Sequence, residues 1–592
     1  MTTNERIGAL RNLMISNDID AYLIPSDDFH QSEYVGDHFK CREFISGFTG
    51  SAGTVIITQS SAHLWTDGRY FIQAENELQN SEFILHKCGL SDDVITIDDF
   101  LLTEVPANGT LAFDGRVVSS FDGNHYRELL SSKNVHIEFD CDLINEIWKN
   151  RPALSKAPIF LLKEAYTGES FASKLTRLRD SMRKQGAVSH LLCSLDDIAW
   201  LFNLRGNDVA YTPVFLSYAF ITLEQAHLFI DQEKLTDESL LFLTEQQVIL
   251  HHYDEIYAFV KALVFEDVLM LDLSKTNFKL SQQISSTLTC IDTINPTTIF
   301  KAQKNKIEIE CIKEAHRKDA IAHTKFLYWL KSNYKKVVIT ELIAAQKLEE
   351  LRKEQENFLQ PSFSPISAFG AHAAIVHYSS SPETDVPLED GSFYLTDTGG
   401  HYLGGSTDIT RTVALGNITP EMKKHYTNVL KGNLALSRAK FLYGCSGENL
   451  DILARQFLWN SNLNYLHGTG HGIGNLLSVH EGPCNIKWKY NKEPVTLEQG
   501  MILSNEPGLY LENHYGIRLE NTLLVCKDSK NEYGQFMCFE TLTYVPFDLD
   551  AIDFSMLTEE ELSQLKQYHQ KIYDLVSPNL SEEEKNWLET FL

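Results

Sequence analysis

Two aspartates, Asp397 and Asp408, stand at the ends of a glycine-rich segment, residues 398–407. The run before Asp397 predicts a strand that ends there, and Asp408 would open the returning strand. A hairpin of this kind brings two carboxylates side by side. Aspartate beside glycine is also a common cap of turns, so this segment alone leaves a paired-carboxylate site and a turn-capping role equally open.

A second pair of carboxylates is formed by Glu506 and Glu520. Glu506 closes an apolar run, where an unpaired carboxylate would be costly. Strand periodicity puts Arg518 and Glu520 on one face, with Ile517 and Leu519 on the other. The sequence therefore predicts a second hairpin-like unit that carries two carboxylates.

A segment of alternating glycines, residues 466–474, contains two histidines. His467 and His471 have the i, i+4 spacing of helical zinc motifs, but the glycines make a regular helix unfavourable. The glycine spacing also misses the G-x-G-x-x-G pattern of dinucleotide-binding loops. A histidine in a glycine-rich strand or turn lets other groups approach it closely, which suits a metal ligand.

If Asp397, Asp408, His471, Glu506 and Glu520 converge, one pocket holds four carboxylates and one imidazole. Four negative charges in one pocket need compensation, and two divalent cations supply it. Oxygen-rich ligation favours manganese, with zinc and cobalt as alternatives. Two ions ~3.5–4 Å apart can share a water molecule, lower its pKa and polarise a carbonyl group, which is the chemistry of hydrolysis.

The part of the chain before these residues contains an internal repeat. Residues 56–67 read IITQSSAHLWTD and residues 220–231 read FITLEQAHLFID. Each copy resembles two short strands joined by a polar turn, and each follows a helix and an apolar strand. The match could arise by chance over 12 residues, but the shared order of elements favours duplication.

The repeat and the length of 592 residues predict several domains, because one core cannot serve so long a chain. We expect related α/β domains at residues 1–157 and 158–303, joined by a proline-containing linker. Residues 304–592 would form an α+β domain that carries the chemistry.

Helices are expected within this third domain. The first would bury Ile307, Ala315 and Phe326 on one face, and others would begin near Thr340 and at Thr419, an N-cap followed by proline. The tail from residue 557 onward predicts a packed or interface pair of helices rather than a catalytic element.

Composition excludes several partners. The formal charge of −28 would repel nucleic acid and anionic lipid, and no window approaches the ~18 apolar residues of a membrane span. The N-terminus contains no apolar signal-peptide core. Ten scattered cysteines without a C-x-x-C pair predict free, buried thiols in a reducing compartment. We therefore expect a cytoplasmic protein that binds neither nucleic acid nor membrane.

The motifs D-x-G, T-D-x-T-R-T, H-G-T-G-H-G-x-G, V-H-E-G-P, N-E-P-G and R-x-E-N together resemble those of the pita-bread metallopeptidases, specifically the aminopeptidase P family. Two preceding domains, the segment YTGES at residues 166–170 and a C-terminal extension together resemble the long, three-domain cytosolic form of this family. The resemblance implies two creatinase-like α/β domains, then a pita-bread catalytic domain with a C-terminal helical extension. It also implies a homodimer.

The resemblance assigns roles to the metal-binding set. It implies that Asp397 binds one metal ion, while Asp408 and Glu520 bridge both ions. His471 and Glu506 would complete the second site, and Glu506 would also take a proton from the attacking water.

The resemblance implies four residues that contact or support the substrate. His377 would steady the tetrahedral intermediate, His480 would interact with the scissile-side carbonyl or the proline, and His467 would line the proline pocket. Arg518 would be an active-site arginine that supports Glu520 or Asp408.

The implied activity is a metal-dependent aminopeptidase that hydrolyses the bond before a proline at the second position of a peptide. Such a bond has no N–H, so it calls for a pocket shaped for the ring. A prolidase shares all five ligands and is the nearest alternative. Methionine aminopeptidase is disfavoured by the two N-terminal domains. Creatinase-type hydrolysis without metal, and an inactive relative that binds peptides, histones or RNA, are disfavoured by the intact ligand set.

Overall fold

The computed structural model describes residues 1–91, 93–263, 268–490 and 493–592. The chain folds into two compact units: Met1–Lys163 with Glu169–Thr298, and Glu164–Gly168 with Ile299–Leu592. The domain boundaries expected from the sequence, after residues 157 and 303, stay predictions.

The first half of the first unit begins with a helix whose N-cap, Thr2, accepts the Glu5 N–H in a capping box. Its helices are α1 Thr3–Ser16, α2 Cys41–Ser46, α3 Phe71–Glu77, α4 Ile97–Glu104, α5 Ser120–Leu129 and α6 Leu143–Ile147. Its strands are β1 Ala21–Ile24, β2 Thr54–Thr58, β3 Ala62–Thr66, β4 Phe83–Lys87, β5 Thr110–Ala112 and β6 His136–Glu138.

The chain from residue 158 to residue 303 contains a second set of alternating helices and strands. Its helices are α7 Glu164–Thr167, which belongs to the second unit, α8 Phe171–Gln185, α9 Leu195–Leu201, α10 Asp237–Glu245, α11 Glu255–Lys261, α12 Phe278–Ser281 and α13 Pro296–Ala302. Its strands are β7 Phe160–Leu161, β8 Ser189–Leu192, β9 Leu204–Arg205, β10 Ser217–Thr222, β11 Ala226–Ile230, β12 Ile249–His251, β13 Val268–Leu271 and β14 Thr289–Asp292.

The two sets form sheets of the same topology. The strand orders are β4-β3-β2-β1-β5-β6 and β12-β11-β10-β8-β13-β14, and the parallel and antiparallel pairings correspond strand by strand. Both copies of the repeated sequence are β-hairpins, as predicted. Each hairpin places a histidine against another on the neighbouring strand, His63 with His86 and His227 with His251, at 2.8 and 2.9 Å between ring nitrogens. Duplication accounts for all of these correspondences.

The second unit combines long helices with short, mostly antiparallel sheets. Its further helices are α14 Lys306–Asn333, α15 Glu341–Lys353, α16 Pro420–Ser437, α17 Asp451–Trp459, α18 Glu559–Val576 and α19 Glu582–Glu589. Its strands are β15 Phe358–Pro361, β16 Ile366–Phe369, β17 Ser392–Thr398, β18 Gly400–Tyr402, β19 Gly405–Ser406, β20 Ile409–Leu415, β21 Lys440–Leu442, β22 Gly470–Gly472, β23 Glu481–Ile486, β24 Ile502–Asn505, β25 Gly508–Leu511, β26 Tyr515–Arg518, β27 Asn521–Asn531 and β28 Gly534–Thr541.

The sheets of this unit have the orders β16-β17-β20, β15-β18-β19, β21-β28-β27-β24-β22-β23 and β25-β26. Helices α14, α15, α18 and α19 share one apolar core with β17 and β20. The C-terminal helix pair expected from the sequence is therefore confirmed as a packed element of the fold.

Helix starts in this unit follow the predicted caps. Thr340 and Thr419 are the N-caps of α15 and α16, and their hydroxyls accept backbone N–H groups three residues on. The buried face of α14 was predicted less well. Ala315 and Phe326 are buried, but Ile307 is 46% exposed because the buried stripe runs through Glu308 and Ile312, and Ile307 lies beside it.

Two expectations from composition can be compared with the structure. Within the described residues, no helix combines the length and the apolar character that crossing a membrane requires. All ten cysteines are described and none forms a disulfide. The expectation that they are buried is confirmed for Cys41, Cys193 and Cys484; five others are half-buried, and it was wrong for Cys88 and Cys290, which are exposed.

Candidate metal centre

The five predicted ligands lie at the facing ends of two sheets. Asp397 lies on β17 and Asp408 directly precedes β20, while His471 lies on β22, Glu506 follows β24 and Glu520 precedes β27. One ligand atom from each of Asp408, His471 and Glu520 lies within 4.8 Å of the others. Glu506 Oε1 is 3.6 Å from His471 Nε2, and the Asp397 charge acts on both Asp408 and Glu520.

Strand pairing brings these residues together. Asp397 is the register partner of Thr410 on β20, and the Thr410 carbonyl accepts the Glu520 N–H at 3.1 Å. The Thr410 hydroxyl donates to Glu520 Oε2 at 2.8 Å. Thr410 therefore links carboxylates that are far apart in the sequence.

A glycine allows the histidine strand to approach. A Cβ atom at Gly470 would lie 2.0 Å from the Ser504 carbonyl oxygen of β24, so only glycine fits there. The prediction that His471 stands in a glycine-rich strand rather than a helix is confirmed.

The orientation of His471 suits a metal ligand. Its Nδ1 lies 3.0 Å from the Gly472 carbonyl oxygen, which can only accept, so Nδ1 carries the proton. A neutral ring then turns its Nε2 lone pair toward Asp408 Oδ2 at 3.5 Å and Glu506 Oε1 at 3.6 Å. Three electron-rich atoms that face one another at such distances are stabilised by a cation between them.

Asp397 presents one oxygen to the same space. Its Oδ2 accepts Arg518 Nη2 at 2.6 Å, while its Oδ1 is buried without a hydrogen-bond partner among the described residues. A buried carboxylate oxygen without a partner is costly. A metal ion would satisfy it.

The raised pKa values of Asp408 and Glu520 also indicate that a cation is needed beside them. Burial raises the pKa of Asp408 well above its usual range, and the Glu520 and Asp397 charges raise it further. Burial, Asp397 and Glu506 do the same for the pKa of Glu520. The protein alone thus disfavours the ionised cluster, and the donor set fits two divalent cations.

A chain of hydrogen bonds connects this cluster to His467. Arg518 donates to Asp397 and, through Nη1, to the Tyr510 hydroxyl at 2.7 Å. The Tyr510 hydroxyl lies 2.8 Å from His467 Nε2, and His467 Nδ1 lies 2.7 Å from the Gly468 carbonyl. Because that carbonyl only accepts, Nδ1 carries the proton, and Tyr510 donates to Nε2 of the neutral ring.

This chain corrects the expected partner of Arg518. We expected Arg518 to support Glu520 or Asp408, but its ion pair is with Asp397. Its Nε also donates to the Thr410 hydroxyl at 3.3 Å, and that hydroxyl donates to Glu520. Strand alternation places Arg518 and Glu520 on one face, as predicted, but it cannot say which carboxylate lies opposite.

The remaining predicted residues surround the cluster. His480 packs against His471, with ring centroids 4.3 Å apart, and its charge acts on Asp408. His377 is half-buried on the loop that follows the 3₁₀ turn Gly370–Ala374. That turn touches β26, where a Cβ atom at Gly516 would lie 1.7 Å from the Ala373 carbonyl oxygen.

Sequence reasoning missed Tyr510. Strands β25 and β26 pair Gly508 with Arg518 and Tyr510 with Gly516, so Tyr510 and Arg518 lie on one face. The sequence does show a tyrosine two positions beyond the N-E-P-G motif. To predict that it contacts Arg518, however, one needs the register of the β25–β26 hairpin.

Comparison with known proteins agrees with this geometry. Residues 310–527 match metallopeptidase family M24, and residues 535–590 match the C-terminal region of peptidase M24. Residues 6–140 and 150–308 each match a creatinase/prolidase N-terminal domain, in keeping with the duplicated sheet.

Relatives and a solved structure resemble the whole chain. The protein called "Probable Xaa-Pro aminopeptidase P" of Botryotinia fuckeliana is 38% identical, over 100% of this chain and 92% of its own. Aminopeptidase P1 of Arabidopsis thaliana is 35% identical, over 99% and 98% of the two chains. The crystal structure of a Caenorhabditis elegans X-prolyl aminopeptidase, described as a cytosolic enzyme with a di-nuclear active site, superposes with a TM-score of 0.95 at 34% identity, over 100% and 99% of the two chains. With creatinase-like α/β domains before a pita-bread catalytic domain, the chain belongs to the aminopeptidase P group of metallopeptidase family M24.

Proposed function

We propose that this protein removes the first residue of peptides whose second residue is proline, using two divalent metal ions. The observation that carries the proposal is the convergence of Asp408, His471 and Glu520, with Asp397 and Glu506 beside them, in a chain that belongs to the aminopeptidase P group.

The five residues would share two ions. Asp397 would hold one, Asp408 and Glu520 would bridge both, and His471 and Glu506 would complete the second. When bound, two such ions activate water as a nucleophile and polarise the carbonyl group of the substrate. Manganese is the proposed ion because four of the five ligands are carboxylates, and zinc and cobalt are alternatives.

The protein's own residues would move the protons and steady the charge. Glu506, whose Oε1 lies 3.6 Å from His471 Nε2, would accept the proton of the attacking water. His377 would donate a hydrogen bond to the oxygen that becomes negative in the tetrahedral intermediate. His480, packed on His471, would contact the carbonyl group on the scissile side or the proline ring.

The substrate ends need separate recognition. Asp397 and the second metal ion would provide a fixed site for the free α-amino group, which limits cleavage to the first residue. His467 would line the proline pocket, where no acceptor is needed because the X-Pro amide lacks an N–H donor. Arg518 would hold Asp397 and, through Tyr510, His467, so both ends share one support.

The setting of the enzyme is part of the proposal. The relative of known structure is described as a cytosolic enzyme, and free cysteines suit a reducing compartment, so we propose a cytoplasmic location. We also propose a homodimer, no nucleic-acid or membrane partner, and domains at residues 1–157, 158–303 and 304–592.

The test compares two substrates with metal-stripped enzyme to which manganese is returned. We expect release of free arginine from Arg-Pro-Pro, poor cleavage of the dipeptide Arg-Pro, and neither without metal. Preferential cleavage of the dipeptide would instead make the protein a prolidase. The absence of turnover of both would indicate a binding protein on this fold.

A further inference from the structure

A buried ion pair joins helices α14 and α15 of the second unit. Asp319 lies in the middle of α14 and Arg352 in the last turn of α15, with side chains 0% and 3% exposed. The guanidinium group donates in two-pronged fashion, from Nε to Oδ1 at 2.6 Å and from Nη2 to Oδ2 at 3.1 Å. Arg352 lowers the pKa of Asp319 to about 2 against the opposing effect of burial, so the pair stays charged.

Asp319 and Arg352 also form hydrogen bonds to the segment between Asp397 and Asp408, two of the candidate metal ligands. Arg352 Nη2 donates to the Thr398 carbonyl at 3.2 Å, and the Thr407 hydroxyl donates to Asp319 Oδ2 at 2.6 Å. Thr398 directly follows Asp397, and Thr407 directly precedes Asp408. One ion pair therefore holds both ends of the segment that separates these two carboxylates.

The Thr407 hydroxyl both donates and accepts a hydrogen bond. It donates to Asp319 and accepts the Gly400 N–H at 2.9 Å, which ties the two ends of the segment to each other as well as to α14. A buried ion pair contributes little net stability, because desolvation offsets its attraction. Its contacts indicate a role in geometry.

We propose that Asp319 and Arg352 are positioning residues that set the separation of Asp397 and Asp408, acting through Thr398 and Thr407, and thereby the affinity for the pair of divalent ions. This inference rests on the proposed function. Metal ligands must be held to within ~0.5 Å of their working geometry, and residues that orient ligands typically change metal affinity 10–100-fold when replaced.

The test uses the hydroxyl of Thr407. Thr407→Val removes the hydroxyl and keeps the shape, whereas Thr407→Ser keeps the hydroxyl. Thr427→Val is the matched control, since Thr427 is buried in α16 of the same unit and its hydroxyl donates to the Lys423 carbonyl and accepts the Asp553 N–H. Binding of Mn²⁺ to each metal-stripped protein is measured by titration calorimetry, with unfolding of the metal-free form as a second readout.

We expect Thr407→Val to weaken binding of at least one Mn²⁺ about 10–100-fold, with Thr407→Ser and Thr427→Val close to wild type in affinity. Arg352→Lys, which keeps the charge but loses the fork, should weaken Mn²⁺ binding in the same sense. If Thr407→Val and Arg352→Lys both bind two ions with wild-type affinity, although the free energy of unfolding of the metal-free protein falls, the positioning role is overturned and the proposed function still stands. Failure of the wild type to bind two ions would overturn the proposed function with it.

Discussion

The hydroxyl of Tyr510 should matter for activity far more than its single oxygen atom suggests. It accepts from Arg518 at 2.7 Å and donates to His467 at 2.8 Å, so Tyr510→Phe deprives both groups of a partner and keeps the ring. A hydrogen bond to a charged group contributes about 1.5–3 kcal/mol and a neutral one about 0.5–1.5 kcal/mol.

The charged bond sets the expected size of the effect. Loss of about 1.5–3 kcal/mol of transition-state stabilisation lowers kcat/KM by about 10–160-fold, since 1.36 kcal/mol is one factor of ten. Initial rates with a tripeptide of the form Xaa-Pro-Pro, at saturating manganese, separate kcat from KM. Both kcat and KM should change, because the hydrogen-bond chain through Tyr510 ends at Asp397, a proposed metal ligand, and at His467 in the proposed proline pocket.

Tyr515→Phe provides the control. Tyr515 lies on β26, the strand that pairs with β25, and its hydroxyl lies 2.8 Å from His425 Nδ1, away from the carboxylates. The same chemical change there should leave kcat/KM within about twofold of wild type, well inside one factor of ten. A Tyr510→Phe enzyme that is equally unaffected would refute the hydrogen-bond chain as a functional element.

Further expectations concern the metal, the substrate and acid stability. Asp408→Asn should bind fewer than two equivalents of manganese by elemental analysis and lose at least about 100-fold in kcat; two retained equivalents would contradict a bridging role. His377→Ala should lower kcat by about 10²–10³-fold with manganese content unchanged, and loss of metal instead would contradict a substrate-facing role. His316 is fully buried, neither ring nitrogen has a hydrogen-bond partner among the described residues, and burial lowers its pKa to about 4. The unfolded chain binds this proton from about pH 6.5 downward, so the free energy of unfolding should fall by up to about 3 kcal/mol between pH 6.5 and 4. In urea titrations at several pH values, His316→Leu should flatten the dependence of the unfolding free energy on pH; an unchanged pH dependence in His316→Leu would contradict this prediction.

Much of the fold could be predicted from patterns among residues that are neighbours in the sequence. The repeated hairpins, the caps at Thr340 and Thr419 and the alternation at residues 517–520 all depend on neighbours in the chain, and all were predicted correctly. The five candidate ligands could be chosen because carboxylates beside glycine and at the ends of apolar runs are conspicuous.

Pairing between distant segments could not be predicted in the same way. The turn between Asp397 and Asp408 contains β18 and β19, and it pairs with β15 some forty residues earlier, which no local period reveals. The partner of Arg518 was missed for the same reason. Asp319 did leave a signal, since it interrupts the apolar face of α14, where a charge is buried only with a partner.

The central claim is that five side chains hold two ions, and manganese-loaded crystals test it most directly. Anomalous scattering should give two peaks ~3.5–4 Å apart, one beside Asp397 and the other beside His471 and Glu506, with Asp408 and Glu520 between them. A single peak, or peaks away from these residues, would contradict the account.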